Sequence, residues 1–70
     1  MLLSPVDLRI LLGIGAGKTQ AEIGEELSLE QPAISKLLGL AETRTELKLV
    51  EHRGRRLALT PSGSELVRVG

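Results

Sequence analysis

Helix-starting phrases divide this chain more sharply than any other feature. Ser4-Pro5-Val6-Asp7 and Thr19-Gln20-Ala21-Glu22 each set a hydroxyl residue three places before an acid. The hydroxyl then accepts from a first-turn N–H while the carboxylate reaches back. Thr60-Pro61 repeats the cap-then-proline order of Ser4-Pro5, with the ring at the first helical position, where no N–H is needed. The chain is thereby cut into short helices, and its 70 residues predict one small domain, 1–70, with no separate catalytic or effector domain. The core has to be aliphatic, because 41% of the residues are hydrophobic and none is aromatic.

The first helix is predicted over about 5–14, with Val6, Ile10 and Ile14 in line and Leu8, Leu11 and Leu12 beside them. A helix apolar over so much of its circumference needs cover on more than one side, from the rest of the monomer or from a second subunit. It ends in the glycine-rich Gly13-Ile14-Gly15-Ala16-Gly17. The second helix is predicted over about 20–27, with Ile23 and Leu27 inward. Glu22, Glu25 and Glu26 on its outer side read either as a solvated face or as a site for a partner.

After Ser28-Leu29-Glu30, a third helix over about 31–43 is capped by Glu30 or Ser28 and tolerates Pro32 in its first turn. Ile34, Leu37, Leu38 and Ala41 recur at helical spacing and face the core. Gln31, Pro32, Ser35, Lys36 and Gly39 are left outside. Gln bonds two atoms of an adenine edge, Ser bonds a base or a phosphate, and Lys meets guanine or a phosphate, so this is either a reading face or merely a soluble one.

Beyond Thr43-Arg44-Thr45 the chain becomes extended over about 47–60. Leu47, Leu49 and Val50 lead to a turn at Arg53-Gly54, and Leu57 and Leu59 alternate on the return. The tip, His52-Arg53-Gly54-Arg55-Arg56, suits minor-groove insertion or phosphate contact; its other reading is a charged hairpin that protects a sheet edge. His52 is read as a strand residue rather than a pH sensor. The last helix, over about 61–68, has Leu66, Val67 and Val69 as its apolar side. With Leu2 and Leu3 at the other end, both termini look apolar and exposed.

Several chemistries are excluded. Gly17-Lys18-Thr19 resembles the end of a phosphate loop, but the glycine that such a loop needs five residues earlier is Leu12, and a helix rather than a buried strand precedes it. With no Cys and a single His, neither a disulfide nor a metal site is expected, and no cofactor is called for. No nucleophile and base or carboxylate pair is evident, so the chain does not read as an enzyme. Met1-Leu2-Leu3 is interrupted at once by Ser4-Pro5, far short of a signal peptide or membrane span, which points to the cytoplasm. Arg outnumbers Lys six to three and Asn is absent, a composition that points to a thermophilic source.

The formal net charge is zero, yet residues 1–35 carry five acids and two bases while residues 36–70 carry seven bases and four acids. The positive half can dock on phosphates, with affinity held modest by the acidic half. Short helices, a basic hairpin and the closing Leu59-Thr60-Pro61-Ser62-Gly63 make a mainly α domain with a small β-hairpin wing. That order of parts describes a winged helix-turn-helix.

The run Gln31-Pro32-Ala33-Ile34-Ser35, then Glu42, Leu49-Val50-Glu51-His52-Arg53 and Leu57-Ala58-Leu59-Thr60-Pro61-Ser62-Gly63, is similar to the DNA-binding domain of LysR-type regulators. It also resembles MarR-type and related archaeal winged regulators. Two positions depart from the LysR pattern, which usually has an aromatic where Val50 stands and a glycine where Glu46 stands. The resemblance implies that Gln31, Pro32, Ser35 and Lys36 lie in the major groove and that Thr19 and Gln20 meet phosphate. Arg53, Arg55 and Arg56 complete the expected double-stranded DNA-binding set. The expected function is sequence-specific duplex binding by a transcriptional regulator without an evident small-molecule effector; the alternative is a winged module that binds protein without intrinsic DNA binding. A homodimer through the terminal helices is expected, with its two reading helices roughly 34 Å apart.

Overall fold

A computed structural model of the chain describes the backbone of residues 3–69 and the side chains of residues 3–68. The order is α1 (Pro5–Gly15), α2 (Gln20–Leu27), α3 (Gln31–Thr45), β1 (Val50–Arg53), β2 (Arg56–Leu59) and α4 (Pro61–Val69). The fold is mainly α-helical with one antiparallel hairpin. Both capping boxes form: Ser4 Oγ accepts from the Asp7 N–H at 3.2 Å, and Thr19 Oγ1 accepts from the Glu22 N–H at 3.1 Å. Each acid returns the bond to its cap.

Ile10, Leu11, Ile14, Ile23, Ile34, Leu38, Ala41, Leu49 and Val50 are buried together where α1, α2, α3 and the hairpin meet. Leu29 and Leu37 are only partly buried at the edge of this cluster. The first helix hides less of its apolar surface than its sequence demands, since Val6 is 40% exposed and Leu12 53%. The N-terminal expectation is corrected: Leu3 is buried in the core rather than exposed. Leu66 and Val67 are half-buried against the same core, whereas Leu2 and the side chain of Val69 lie outside the described residues.

Two boundaries move for local reasons. The third helix runs on to Thr45, where the Thr43 and Thr45 hydroxyls donate to the carbonyls of Gly39 and Ala41 at 3.0 and 2.9 Å. It stops at Glu46, which adopts the left-handed conformation, φ +57°. Its N-cap is Glu30, whose side chain makes no capping bond, while Ser28 ends α2 with φ +58°. The extended segment begins later than Leu47, which is 41% exposed. Residues 47–49 precede the ladder, and Glu42 Oε2 holds its entry by accepting from the N–H groups of Leu49 at 2.8 Å and Val50 at 3.3 Å.

The hairpin pairs Val50 with Leu59 and Arg53 with Arg56. This places the two-residue loop at Gly54-Arg55, one residue beyond the expected turn. Positive φ falls on Gly54 (+64°) and not on Arg55, the sign pattern of a type II′ turn, whose twist matches that of the strands. An ion pair ties α3 to α1, where Arg44 Nη2 stands 3.7 Å from Oδ2 of the buried Asp7.

Candidate nucleic-acid interface

The start of α2 is organised around Thr19. Its N–H donates to Glu22 Oε1 at 2.9 Å, and its hydroxyl accepts from the Glu22 N–H. The bond from the Thr19 N–H, seconded by the Thr19 hydroxyl, holds the Glu22 carboxyl below the usual carboxylate range; Arg56 and Lys18 add smaller pulls in the same direction. The amides of Gln20 and Ala21 lie in the first turn, where the helix itself offers no acceptor, the kind of donors that anions use at helix N-termini.

The hairpin tip closes on this helix start. Lys18, Thr19, Gln20, Ala21, Gln31, His52, Arg55, Arg56 and Leu57 line one cleft of about 170 Å³. Five of the nine residues singled out from the sequence, Thr19, Gln20, Gln31, Arg55 and Arg56, thus come together. A sixth is tied to them, because the Ser35 hydroxyl donates to Gln20 Oε1 at 3.0 Å across the α2–α3 junction. Pro32 and Lys36 are exposed on the same outer side of α3 as Gln31 and Ser35.

The three wing arginines, alike in the sequence, differ in the fold. Arg56 Nη1 donates to the Gly17 carbonyl at 3.1 Å and so moors the wing to the α1–α2 loop. Arg53 does not line the cleft and stands 3.5 Å from Glu51. No ion pair engages Arg55 or Lys36 among the described residues, leaving both charges for an outside anion.

Sequence reasoning missed Lys18 and His52 as cleft residues. Lys18 was visible only as part of a failed phosphate loop, and in the structure its Nζ lies 2.9 Å from Glu26 Oε2. The signal for His52 was its place two residues before the wing glycine. Among the described residues no group of three or more His, Cys, Asp or Glu is placed to hold a metal, and no helix is long and apolar enough to cross a membrane.

A family model described as a bacterial regulatory helix-turn-helix protein of the lysR family matches residues 7–64. The chain belongs to the LysR family. The match takes in most of α1, then α2, α3, the hairpin and the start of α4, so the winged helix-turn-helix is the DNA-binding domain of this family of regulators. A curated relative from Azotobacter vinelandii is an uncharacterized HTH-type transcriptional regulator in the ibpB-leuC intergenic region. It is 32% identical over 60 residues, which make up 86% of this chain and 42% of the relative. The LysR-family chain therefore spans less than half of that protein's length. A mutant of OxyR from Corynebacterium glutamicum superposes with a TM-score of 0.78 at 31% identity, covering 89% of this chain and 20% of OxyR. The BenM_DBD structure in complex with catB site 1 DNA shares the fold, with a TM-score of 0.76 at 21% identity over 89% of this chain and 69% of that one.

Proposed function

We propose that this LysR-family domain binds double-stranded DNA sequence-specifically, as part of a transcriptional regulator, with α3 in the major groove and the wing on the adjacent backbone or minor groove. The observation that carries the reading is the cleft between the α2 start and the hairpin tip. It gathers first-turn amides, Thr19, Gln20, Gln31, Arg55 and Arg56 beside the outer side of α3. Anions favour helix N-termini, and forked guanidinium groups suit phosphate, so the cleft fits a backbone phosphate while Gln31, Pro32, Ser35 and Lys36 meet base edges. Arg53 takes a lesser part because Glu51 stands beside it. The complex of BenM_DBD with DNA supports the same use of the fold.

Pairing of two copies through the terminal helices extends this proposal. The exposed Val6 and Leu12 on α1 and the half-buried Leu66 and Val67 on α4 are the apolar surface that a second copy would cover. Two copies would set their α3 helices about one DNA turn apart and select an inverted repeat.

Titration of dye-labelled duplexes, random and selected, at about 50 and 200 mM salt tests the reading by fluorescence anisotropy. Saturable binding that weakens steeply with salt and favours a selected sequence is the expected result. Absence of binding at the lower salt overturns it and leaves the alternative of a protein-binding winged module.

A further inference from the structure

The Ser35 hydroxyl and the Gln20 amide form one hydrogen bond between the two helices of the helix-turn-helix, and the bond has a direction. Ser35 Oγ donates and Gln20 Oε1 accepts, 3.0 Å apart. A serine has a single hydroxyl proton and two acceptor lone pairs, so a hydroxyl whose proton is committed is left as an acceptor only. Ser35 makes no other side-chain hydrogen bond among the described residues, and it lies exposed on the outer side of α3. The Gln20 amide keeps both NH₂ protons and one oxygen lone pair. The pair therefore sets an acceptor on the exposed Ser35 of α3 beside the half-buried Gln20 amide of α2.

We propose, resting on the DNA-binding reading above, that Gln20 is a positioning residue that makes Ser35 a reader of exocyclic amines. In the major groove adenine N6 and cytosine N4 are donors, whereas guanine O6 and N7 and thymine O4 are acceptors. A serine free to rotate accepts from the first group or donates to the second. Ser35 held by Gln20 accepts from adenine or cytosine and sets lone pair against lone pair with guanine or thymine. The NH₂ of Gln20 is of the kind that suits a phosphate oxygen, so one side chain can contact the backbone while it sets the sense of the base contact.

The prediction separates Gln20→Ala from Gln20→Glu. Alanine frees the Ser35 hydroxyl, whereas a glutamate carboxylate still accepts from it and keeps its lone pairs outward, though the added charge repels phosphate. The test is in vitro selection from duplexes with a randomised window, read by sequencing, for the wild-type chain, Gln20→Ala, Gln20→Glu and Ser35→Ala, with circular dichroism to confirm each fold. One position of the wild-type site is expected to favour adenine or cytosine about fivefold over guanine or thymine, near the lower end for a single base contact. That preference should vanish in Ser35→Ala, relax in Gln20→Ala with the other positions unchanged, and persist in Gln20→Glu despite weaker overall binding.

An unchanged base preference in Gln20→Ala, or a wild-type preference for guanine or thymine at the position lost in Ser35→Ala, overturns the proposal while DNA binding stands. A wild-type chain that enriches no sequence at all overturns the DNA-binding reading and the proposal together.

Discussion

The α-carbon of Gly63 lies against the carbonyl of Leu49, so close that a β-carbon added at Gly63 would stand 2.2 Å from the Leu49 oxygen. That carbonyl already accepts from the Thr60 N–H at 3.0 Å, and the Thr60 hydroxyl donates to the neighbouring Lys48 carbonyl while accepting from the Gly63 N–H at 3.1 Å. The closing Leu59-Thr60-Pro61-Ser62-Gly63 phrase is thus the joint that fixes α4 and the end of the wing to the segment entering β1. Because backbone, not a movable side chain, occupies the space, Gly63→Ala should destabilise the fold by about 2–3 kcal/mol, as overpacking of a closed site does. Urea unfolding followed by far-ultraviolet circular dichroism would show it as a lower midpoint with an unchanged slope.

Glu46 predicts the opposite sign. It ends α3 at φ +57°, where an L side chain is strained and where the LysR pattern usually has glycine. Glu46→Gly is expected to stabilise the domain by roughly 0.5–1 kcal/mol, since the relief of left-handed strain outweighs the extra freedom that glycine gains in the unfolded chain. The same unfolding experiment checks it, and a lower midpoint would contradict this account of the helix end.

Glu42 serves the fold from within the third helix by accepting from two successive N–H groups, those of Leu49 and Val50. Removing a charged acceptor from partly buried donors leaves them unsatisfied, so Glu42→Ala should cost about 2–3 kcal/mol and Glu42→Gln, which keeps an acceptor, distinctly less. Hydrogen exchange at those two amides supplies a local readout. Loss of protection at Leu49 and Val50 in the alanine variant is the expected outcome.

The carboxyl of Glu22 titrates below its ordinary value because the folded state supplies donors from Thr19. A depressed folded value means that the contribution of this group to stability is present above its unfolded value and is lost as pH falls through the folded one. The start of α2 should therefore loosen in acid, and Glu22→Gln should remove that part of the pH dependence while leaving the behaviour near neutrality flat. Thermal unfolding of both proteins between about pH 2 and 6, across the ordinary carboxylate range, measures the difference.

DNA binding should distinguish the arginines that the sequence leaves equivalent. Arg55→Ala removes a charge that no ion pair engages among the described residues and should lower the salt slope by about 0.9, the share of one phosphate contact, whereas Lys36→Ala should chiefly relax base preference. Arg53→Ala should change the slope less, because Glu51 stands beside it. Arg56→Ala should also weaken the hold of the wing on the Gly17 carbonyl, and so lower stability as well as affinity. A wild-type slope in both Arg55→Ala and Arg56→Ala would show that the wing is not engaged as proposed.

Most of the fold was legible because its signals are local. A hydroxyl three residues before an acid at Ser4 and Thr19, and a proline after Thr60, act within one helical turn, and α1, α2 and α4 begin where those phrases predict. The basic tip around Gly54 belongs to the same class, although the turn closes one residue later than expected because the ladder runs on to Arg53 and Arg56. Less legible were Leu47, whose apolar character mimicked a strand, and Leu3, which looked exposed at the end of the chain yet is buried.

Residue order alone sets where each helix starts, which aliphatic residues can share a core, and that the positive charge gathers in the second half. The remaining contacts come from packing, because long side chains take their partners from whatever the fold brings within reach. Only the docked hairpin sets Arg56 on the Gly17 carbonyl and aligns Arg55 with Thr19 and Gln31 around one cleft. Only the crossing of α2 and α3 puts the Gln20 oxygen within a hydrogen bond of Ser35, fifteen residues away in the chain. Hydrogen bonds reach about 3 Å, so pairs so distant in sequence exist only once the aliphatic core has fixed the helices against each other.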